Sequence, residues 1–346
     1  LELIRVMPAE RGNDIPAQHT DIAVVGGGVV GLSVAWRAAQ RGLSVSLYDR
    51  GELGCGTSRA AAGMLAPGAE ADPGERELLE LGVRSAALWP AFAAELGVPL
   101  RDCGTLMLAR DRDEAEALER ERVTLGRLGV PAERLLPSAA RRLEPALAPA
   151  LRLALRLPGD RAVDPRRLLA ALIDACRAAG VQLRPHTPVD DPAALDADRV
   201  VVATGAWAGP PVRPVKGQAL LLRDPAGPGL CEHVLRWSAG YLVPRSDGRY
   251  YLGATVEESG FDLAPTALAA YELLRDAAEL IPGALELEIE EHVVGLRPAT
   301  PDNTPLIGPD PADERVVRAI GHYRNGILLA PVTAEIVLDV AGAVPA

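Results

Sequence analysis

The chain has 346 residues and a formal net charge of −11, with 48% hydrophobic and 24% charged residues, and its positive charge is arginine apart from the single lysine Lys216. That balance fills a sizeable globular core, and an acidic chain without a basic stripe argues against nucleic acid as a partner, since phosphate contacts supply most of that affinity. No apolar run reaches the roughly 18–20 residues that a membrane span needs.

Residues 1–20, LELIRVMPAERGNDIPAQHT, carry Pro, Gly and mixed charge but lack the apolar centre of a signal peptide. They read as a loose leader, with Met7 as a plausible true start. The first apolar run follows, DIAVVGGGVVGLSVAW, from Asp21 to Trp36. IAVVGGG is a short strand ending in glycines, VVGLSVAWRAAQRG is a helix closed by Gly42, and LSVSLYDR is a second strand, which makes a βαβ unit. Gly26, Gly28 and Gly31 fit G-x-G-x-x-G: one for the tight turn, one for close approach to a pyrophosphate, one for helix–strand packing. The helix amino end aims free N–H groups at the phosphates. Asp49 closes the second strand where a carboxylate accepts ribose hydroxyls, and it would repel the 2′-phosphate that Arg50 alone would invite. A dinucleotide site is expected, with the identity of the dinucleotide open at this point.

GELGCGTSRAAAGMLAPGAEA, residues 51–71, has neither helical nor strand periodicity, and its small residues suit a backbone running close along a large flat ligand. Residues 75–97 and 111–129 read as amphipathic helices around the strand TLMLAR. DPRRLLAALIDACRAAGVQLRPHTPV returns to helix and strand, and DRVVVATGAWAG is a buried strand ending at Gly205. PVKGQALLLRD, HVLRWSAGYLVPRSDGRYYLGATVEE with its Ser246–Asp247–Gly248 hairpin turn, a helix at 265–280 and LELEIEEHVVGLRPATPD carry antiparallel-sheet signals. The chain ends on a strand running into Gly321, the polar knot HYRNG and an apolar helix without a Ser, Thr or Asp cap, so its first N–H groups are unsatisfied or aimed at a ligand. The four cysteines, at 55, 103, 176 and 231, form no CxxC pair and sit beside no His cluster, which excludes a zinc motif and points to a reducing cytoplasm. The expected fold is α/β plus α+β. A nucleotide-binding domain spans 21–85, 150–214 and 291–346, and a substrate domain spans 86–149 and 215–290.

Three separated stretches, GTSRAAAGMLAP, VGLRPATPDNTPLIG and GHYRNGILLAP, together resemble the glycine oxidase (thiamine-biosynthesis) branch of the D-amino-acid-oxidase-like flavoproteins, from about residue 21 to 342. The resemblance implies a Rossmann-like FAD-binding domain with an inserted antiparallel-sheet substrate domain, the D-amino-acid-oxidase/glutathione-reductase-like fold. It implies FAD as the redox group, held non-covalently because no cysteine lies in RPATPDNTPLIG. FAD contacts carried over fall on Gly26, Gly28, Val29, Val30, Gly31, Asp49, Arg50, Thr57, Ser58, Ala62, Gly63, Met64 and Val189. They continue through His322, Tyr323, Arg324, Asn325, Gly326, Ile327 and Leu328. Arg297 matches the carboxylate-binding arginine, Tyr241 the tyrosine that helps it and Arg324 a second substrate-contacting arginine. Lys216 is structural, and no residue is cast as acid or base, His322 included.

The implied activity is oxidation of glycine and of small amines or D-amino acids, with hydride leaving Cα for the flavin, to an imine that, for glycine, yields glyoxylate and ammonia or enters thiazole synthesis, while O2 becomes H2O2. The alternatives are a sarcosine or D-amino-acid oxidase or dehydrogenase of the same fold, a non-catalytic flavin-binding protein, or an NAD-binding regulatory protein. A homotetramer is implied by resemblance alone. Two departures stand out: Val256 follows GAT where a methionine often sits, and the chain stops at Ala346, short of the usual family tail.

Overall fold

The computed structural model describes residues 19–70, 74–227 and 229–342. The leader expected over 1–20 therefore lies mostly outside the described residues, and Thr20 already belongs to a strand. The chain opens with β1 (Thr20–Val25), α1 (Val29–Gln40) and β2 (Val45–Tyr48), as the periodicity predicts. Gly42 adopts φ 85° just beyond the helix end, a conformation open to glycine at little cost.

Next come β3 (Met64–Leu65), α2 (Pro67–Glu70), α3 (Arg76–Glu95), β4 (Leu100–Arg101) and β5 (Thr105–Ala109). They are followed by α4 (Arg112–Arg127), β6 (Glu133–Leu135), α5 (Pro137–Leu143), β7 (Leu153–Leu157) and β8 (Arg161–Val163). The chain re-enters the first unit with α6 (Pro165–Ala178), β9 (Gln182–Arg184) and β10 (Ala197–Val202). Asp164 caps α6 by accepting from the Arg166 and Arg167 N–H groups, and Pro165 takes the first helical position, where no N–H is needed. β10 stops at Val202, not at Gly205: Gly205 sits at φ 58° and opens a short 3-10 turn to Trp207.

A second excursion supplies β11 (Arg213–Arg223), β12 (Val234–Trp237), β13 (Gly240–Pro244), β14 (Arg249–Gly253), α7 (Ala267–Leu280) and β15 (Glu288–Ala299). The chain closes with β16 (Leu306–Pro309), β17 (Val316–Ile320) and α8 (Gly326–Val340).

One sheet has six strands in the order β16-β17-β10-β1-β2-β9, all parallel except the edge strand β16. The chain leaves β1 toward β2 on one side and reaches β10 on the other, so the glycine turn after β1 lies at a topological switch point, where ligands of such sheets bind. The second sheet has eight strands, β15-β11-β14-β13-β12-β5-β7-β6. It is antiparallel save for β5 against β12, which come from different excursions and so are not joined by a hairpin.

The structure moves the expected domain boundaries. β7 pairs within the eight-stranded sheet although composition places residues 150–214 in the nucleotide unit, and β15 pairs with β11 along its whole length although 291–346 is expected there too. α3 is not divided at 85: its Trp89 and Phe92 are buried in one core with Leu32, Trp36 and α8 residues such as Leu329 and Val332. Hydrogen-bonded sheet membership and a shared core override composition here, because neither pairing partner is a sequence neighbour.

At the centre of that core α1 lies tight on β1. A Cβ on Gly31 would sit 1.8 Å from the Gly26 carbonyl oxygen, so any side chain forces helix and strand apart. Gly31→Ala is therefore expected to lower the unfolding free energy by about 1–3 kcal/mol, the usual cost of overpacking. A urea midpoint equal to that of the wild type would contradict this packing.

Candidate active site

Between the two sheets lies a cavity of about 900 Å³, large for a ligand pocket. At one end are Gly26, Gly28, Val29, Val30, Asp49, Arg50 and Val189; at the other are Tyr241, Arg297, His322 and Arg324, with Thr57, Ser58, Ala62, Gly63 and Met64 along the wall. Nearly all of the predicted contacts thus share one space. Gly31 and Leu328 do not line it. Gly31 is spent on the close approach of α1 to β1. Leu328 turns to α3, its carbonyl accepting from Ser85 Oγ at 2.6 Å and Trp89 Nε1 at 2.9 Å, because it sits one residue past the open face of the first turn of α8.

The glycine end fits a dinucleotide. Gly28 precedes α1 without a side-chain cap and no acidic residue sits in the first turn, so that turn offers N–H groups to an anion. Ser58 Oγ accepts from the Val29 N–H at 3.0 Å, and the Asp49 carboxylate accepts from Gly27 at 2.6 Å and Gly51 at 2.8 Å. Asp49 thereby braces the turn and keeps lone pairs for ribose hydroxyls. Arg50 stacks on Trp207, its guanidinium carbon 3.7 Å from the ring centre.

The small-residue segment 57–63 lies along the wall because the second sheet fastens it there. Thr57 Oγ1 donates to the Leu296 carbonyl at 2.7 Å, Tyr251 OH donates to Ala60 O, and the buried Arg245 donates to Val163 O at 3.0 Å and Ala62 O at 2.6 Å. A Cβ on Gly63 would meet Val163 O at 2.0 Å. No local pattern in the sequence marks Arg245 and Tyr251, since their partners are backbone carbonyls more than eighty residues away.

At the other end Arg297, on β15, extends over β11 because Gly217 has no side chain: a Cβ there would lie 2.4 Å from the guanidinium. Its Nη1 donates to Thr255 O at 2.9 Å, leaving further N–H groups. Gly253 opens the space for the Tyr241 ring in the same way, and the Tyr241 and Tyr251 rings stack at 6.3 Å. Burial pushes the Tyr241 hydroxyl pKa up, and the neighbouring Arg297 charge pulls the other way, so this phenol stays a neutral donor.

Arg324 is at the wall but engaged: Nη2 donates to Glu70 O at 2.7 Å and lies 3.4 Å from Glu75 Oε2. Arg236, cross-strand neighbour of Tyr241, donates to Glu70 Oε1 at 3.2 Å. The sequence carries no signal for Glu70 and Arg236, because the ion pair joins α2 to β12 across 166 positions.

His322 is buried at the cavity edge, its Nε2 3.0 Å from Thr333 Oγ1 in α8. The amino end of α8 opens on the cavity through Asn325, Gly326 and Ile327, with no side-chain cap and no acidic residue in its first turn. The missing cap noted in the sequence is thus matched by a helix end directed into the site. Among the described residues no group of three or more His, Cys, Asp or Glu is placed to hold a metal ion, and no helix is long and apolar enough to cross a membrane.

A cavity at the switch point of a nucleotide-binding sheet, walled on its far side by an antiparallel sheet that carries an arginine, defines a two-domain flavoenzyme class. The family model for FAD dependent oxidoreductases (DAO) matches residues 21–340, and the chain belongs to that family. It is similar to the glycine oxidase of Geobacillus kaustophilus, 36% identical with 92% of each chain covered. A ThiO of Rhizobium etli, named for thiamine biosynthesis, is 37% identical over 90% of this chain and 94% of its own. The crystal structure of the Geobacillus kaustophilus glycine oxidase superposes with a TM-score of 0.90 at 35% identity, covering 94% of this chain and 95% of that one.

Burial lowers the His322 pKa to about 4. Between pH 6.5 and 4 the unfolded chain then binds a proton that the folded one refuses, so stability falls with acidification by about 3 kcal/mol from this group. His322→Gln removes the proton site, and its stability relative to wild type should improve by that amount from pH 7 to pH 4. A difference independent of pH would mean that the imidazole is freely protonated in the folded protein.

Proposed function

We propose that this protein is an FAD-dependent glycine oxidase converting glycine, O2 and water to glyoxylate, ammonia and H2O2. The observation that carries this reading is Arg297, a half-buried guanidinium at the cavity wall with one backbone acceptor and no carboxylate partner among the described residues, beside a neutral tyrosine. A planar guanidinium pairs with both oxygens of an amino-acid carboxylate. Tyr241 then donates its hydroxyl to the same group, and the Cα–H is held in one orientation. Orientation alone is worth roughly 7–11 kcal/mol of a reaction barrier.

The glycine turn, Ser58, Asp49 and Arg50 would hold the adenosine-diphosphate part of FAD, and Gly63, Met64 and the segment His322–Ile327 line the space for its ring system. FAD, when bound, supplies the two-electron acceptor. The amino end of α8 stabilises negative charge developing beside it. His322 does not act as a base: burial lowers its pKa to about 4, which makes the imidazole a weak proton acceptor, and one ring nitrogen is engaged by Thr333. Arg324 and Arg236, gathered by Glu70, close the pocket and favour a small substrate. The likeness to a ThiO supports a supply of the product to thiazole assembly in thiamine biosynthesis. The cysteines among the described residues are all unbridged, in keeping with a reducing cytoplasm, and the homotetramer is our reading from family resemblance.

Purified protein should show absorption bands near roughly 370 and 450 nm that bleach on anaerobic mixing with glycine; colourless protein, or bands unmoved by glycine, sarcosine and D-alanine alike, ends this reading. Arg297→Ala should raise the glycine KM by about one to two orders of magnitude, the loss of a charged hydrogen-bond partner, with the flavin spectrum intact. An unchanged KM would remove Arg297 from the site.

A further inference from the structure

The segment from Ala254 to Thr266 joins β14 to α7 and crosses from one face of the eight-stranded sheet to the other. Ala254 and Val256 at its start and Leu263 near its end contribute to the cavity wall, and Thr266 caps α7 behind the sheet. Strand alternation places Gly217 of β11 on the cavity face under Arg297, and Lys216 and Gln218 on the opposite face. Leu220 and Leu222, of the same parity as Lys216, pack there against Leu273 and Ala277 of α7.

Lys216, the only lysine of the chain, is 1% exposed. Its Nζ donates to Asp262 Oδ2 and to Ala264 O, each at 2.7 Å, and lies 3.9 Å from Glu257 Oε2. Its backbone exchanges two hydrogen bonds of 2.9 Å with Glu257. Gln218 holds the same strap by donating to Glu257 Oε1 at 2.8 Å and accepting from the Thr266 N–H at 2.8 Å. The strap in turn supplies the Thr255 carbonyl, which accepts from Arg297 at 2.9 Å. A buried ammonium with two acceptors contributes little to stability compared with an apolar side chain of equal size, but it specifies one arrangement of whatever it holds.

We propose that Lys216 is a positioning residue for substrate binding: from behind the sheet it fixes the strap 254–266 in the register that orients the Arg297 guanidinium. This rests on the reading that Arg297 holds the substrate carboxylate. Without the anchor the strap slides, Thr255 O leaves the guanidinium, and carboxylate affinity falls while the flavin end of the cavity is untouched.

The test uses the flavin-loaded enzyme and the variants Lys216→Met, Asp262→Asn and Arg297→Ala. Lys216→Met should raise the glycine KM about tenfold, the scale of one lost charged hydrogen bond, with kcat within about twofold and the absorption bands unchanged. Asp262→Asn, at a half-exposed position where folding is not at risk, should raise KM by about threefold on the same scale. As the sole lysine, Lys216 also reports on the strap without turnover: its acylation by an acetyl N-hydroxysuccinimide ester, followed by peptide mass spectrometry, should be slow in wild type and faster in Asp262→Asn. If Arg297→Ala raises KM but Asp262→Asn alters neither KM nor acylation rate, the role of Lys216 is overturned while that of Arg297 stands. If Arg297→Ala leaves KM unchanged, the carboxylate reading itself fails. Loss of flavin together with kcat in Lys216→Met or Asp262→Asn would overturn the proposal in favour of a general structural role.

Discussion

Everything in this structure depends on two backbones being allowed to touch. The Gly26 carbonyl lies where a Cβ of residue 31 would be, and the Val163 carbonyl lies where a Cβ of residue 63 would be. The first approach draws α1 onto β1, so that the helix amino end faces the switch point of the parallel sheet. The second draws the small-residue segment against β8 and the wall of the cavity. Larger residues at either place would widen the gap by an ångström or more, and a backbone cradle for a pyrophosphate or a flat ring would be lost.

The same device recurs at the other end of the cavity with a different outcome. Gly217 and Gly253 leave empty the volumes that Arg297 and Tyr241 occupy, so an antiparallel sheet presents a guanidinium and a phenol flat along its face instead of projecting them into solvent. Polar chemistry is then assembled from groups whose charge states are set by enclosure. Tyr241 is kept a neutral donor and His322 a neutral imidazole, both by burial.

Arginines do separate work at each level. Arg245, buried, satisfies two carbonyls and ties the segment 57–63 to the second sheet. Arg324 and Arg236 converge on Glu70 and bound the pocket, and Arg297 retains donors for a ligand. Neither Arg245 nor Arg297 has a carboxylate within ion-pair reach among the described residues, but Arg245 is buried and spends its donors on two carbonyls, whereas Arg297 is half-buried at the cavity with one backbone acceptor. That asymmetry, more than proximity, singles it out.

The sequence by itself determined the local units. The βαβ turn with Gly26, Gly28 and Gly31, the acid at Asp49, the hairpin at Ser246–Gly248 and the uncapped start of α8 follow from periodicity, turn chemistry and capping, all interactions between near neighbours. Tertiary structure alone decided which strands share a sheet, so that β7 and β15 belong to the eight-stranded sheet and α3 shares a core with α1 and α8. It also decided that Leu328 faces α3, that Glu70 meets Arg236 and Arg324, and that Lys216 anchors a strap. Those contacts join positions tens to hundreds of residues apart. A pattern read along one chain carries no information about partners that meet only once the two sheets have packed.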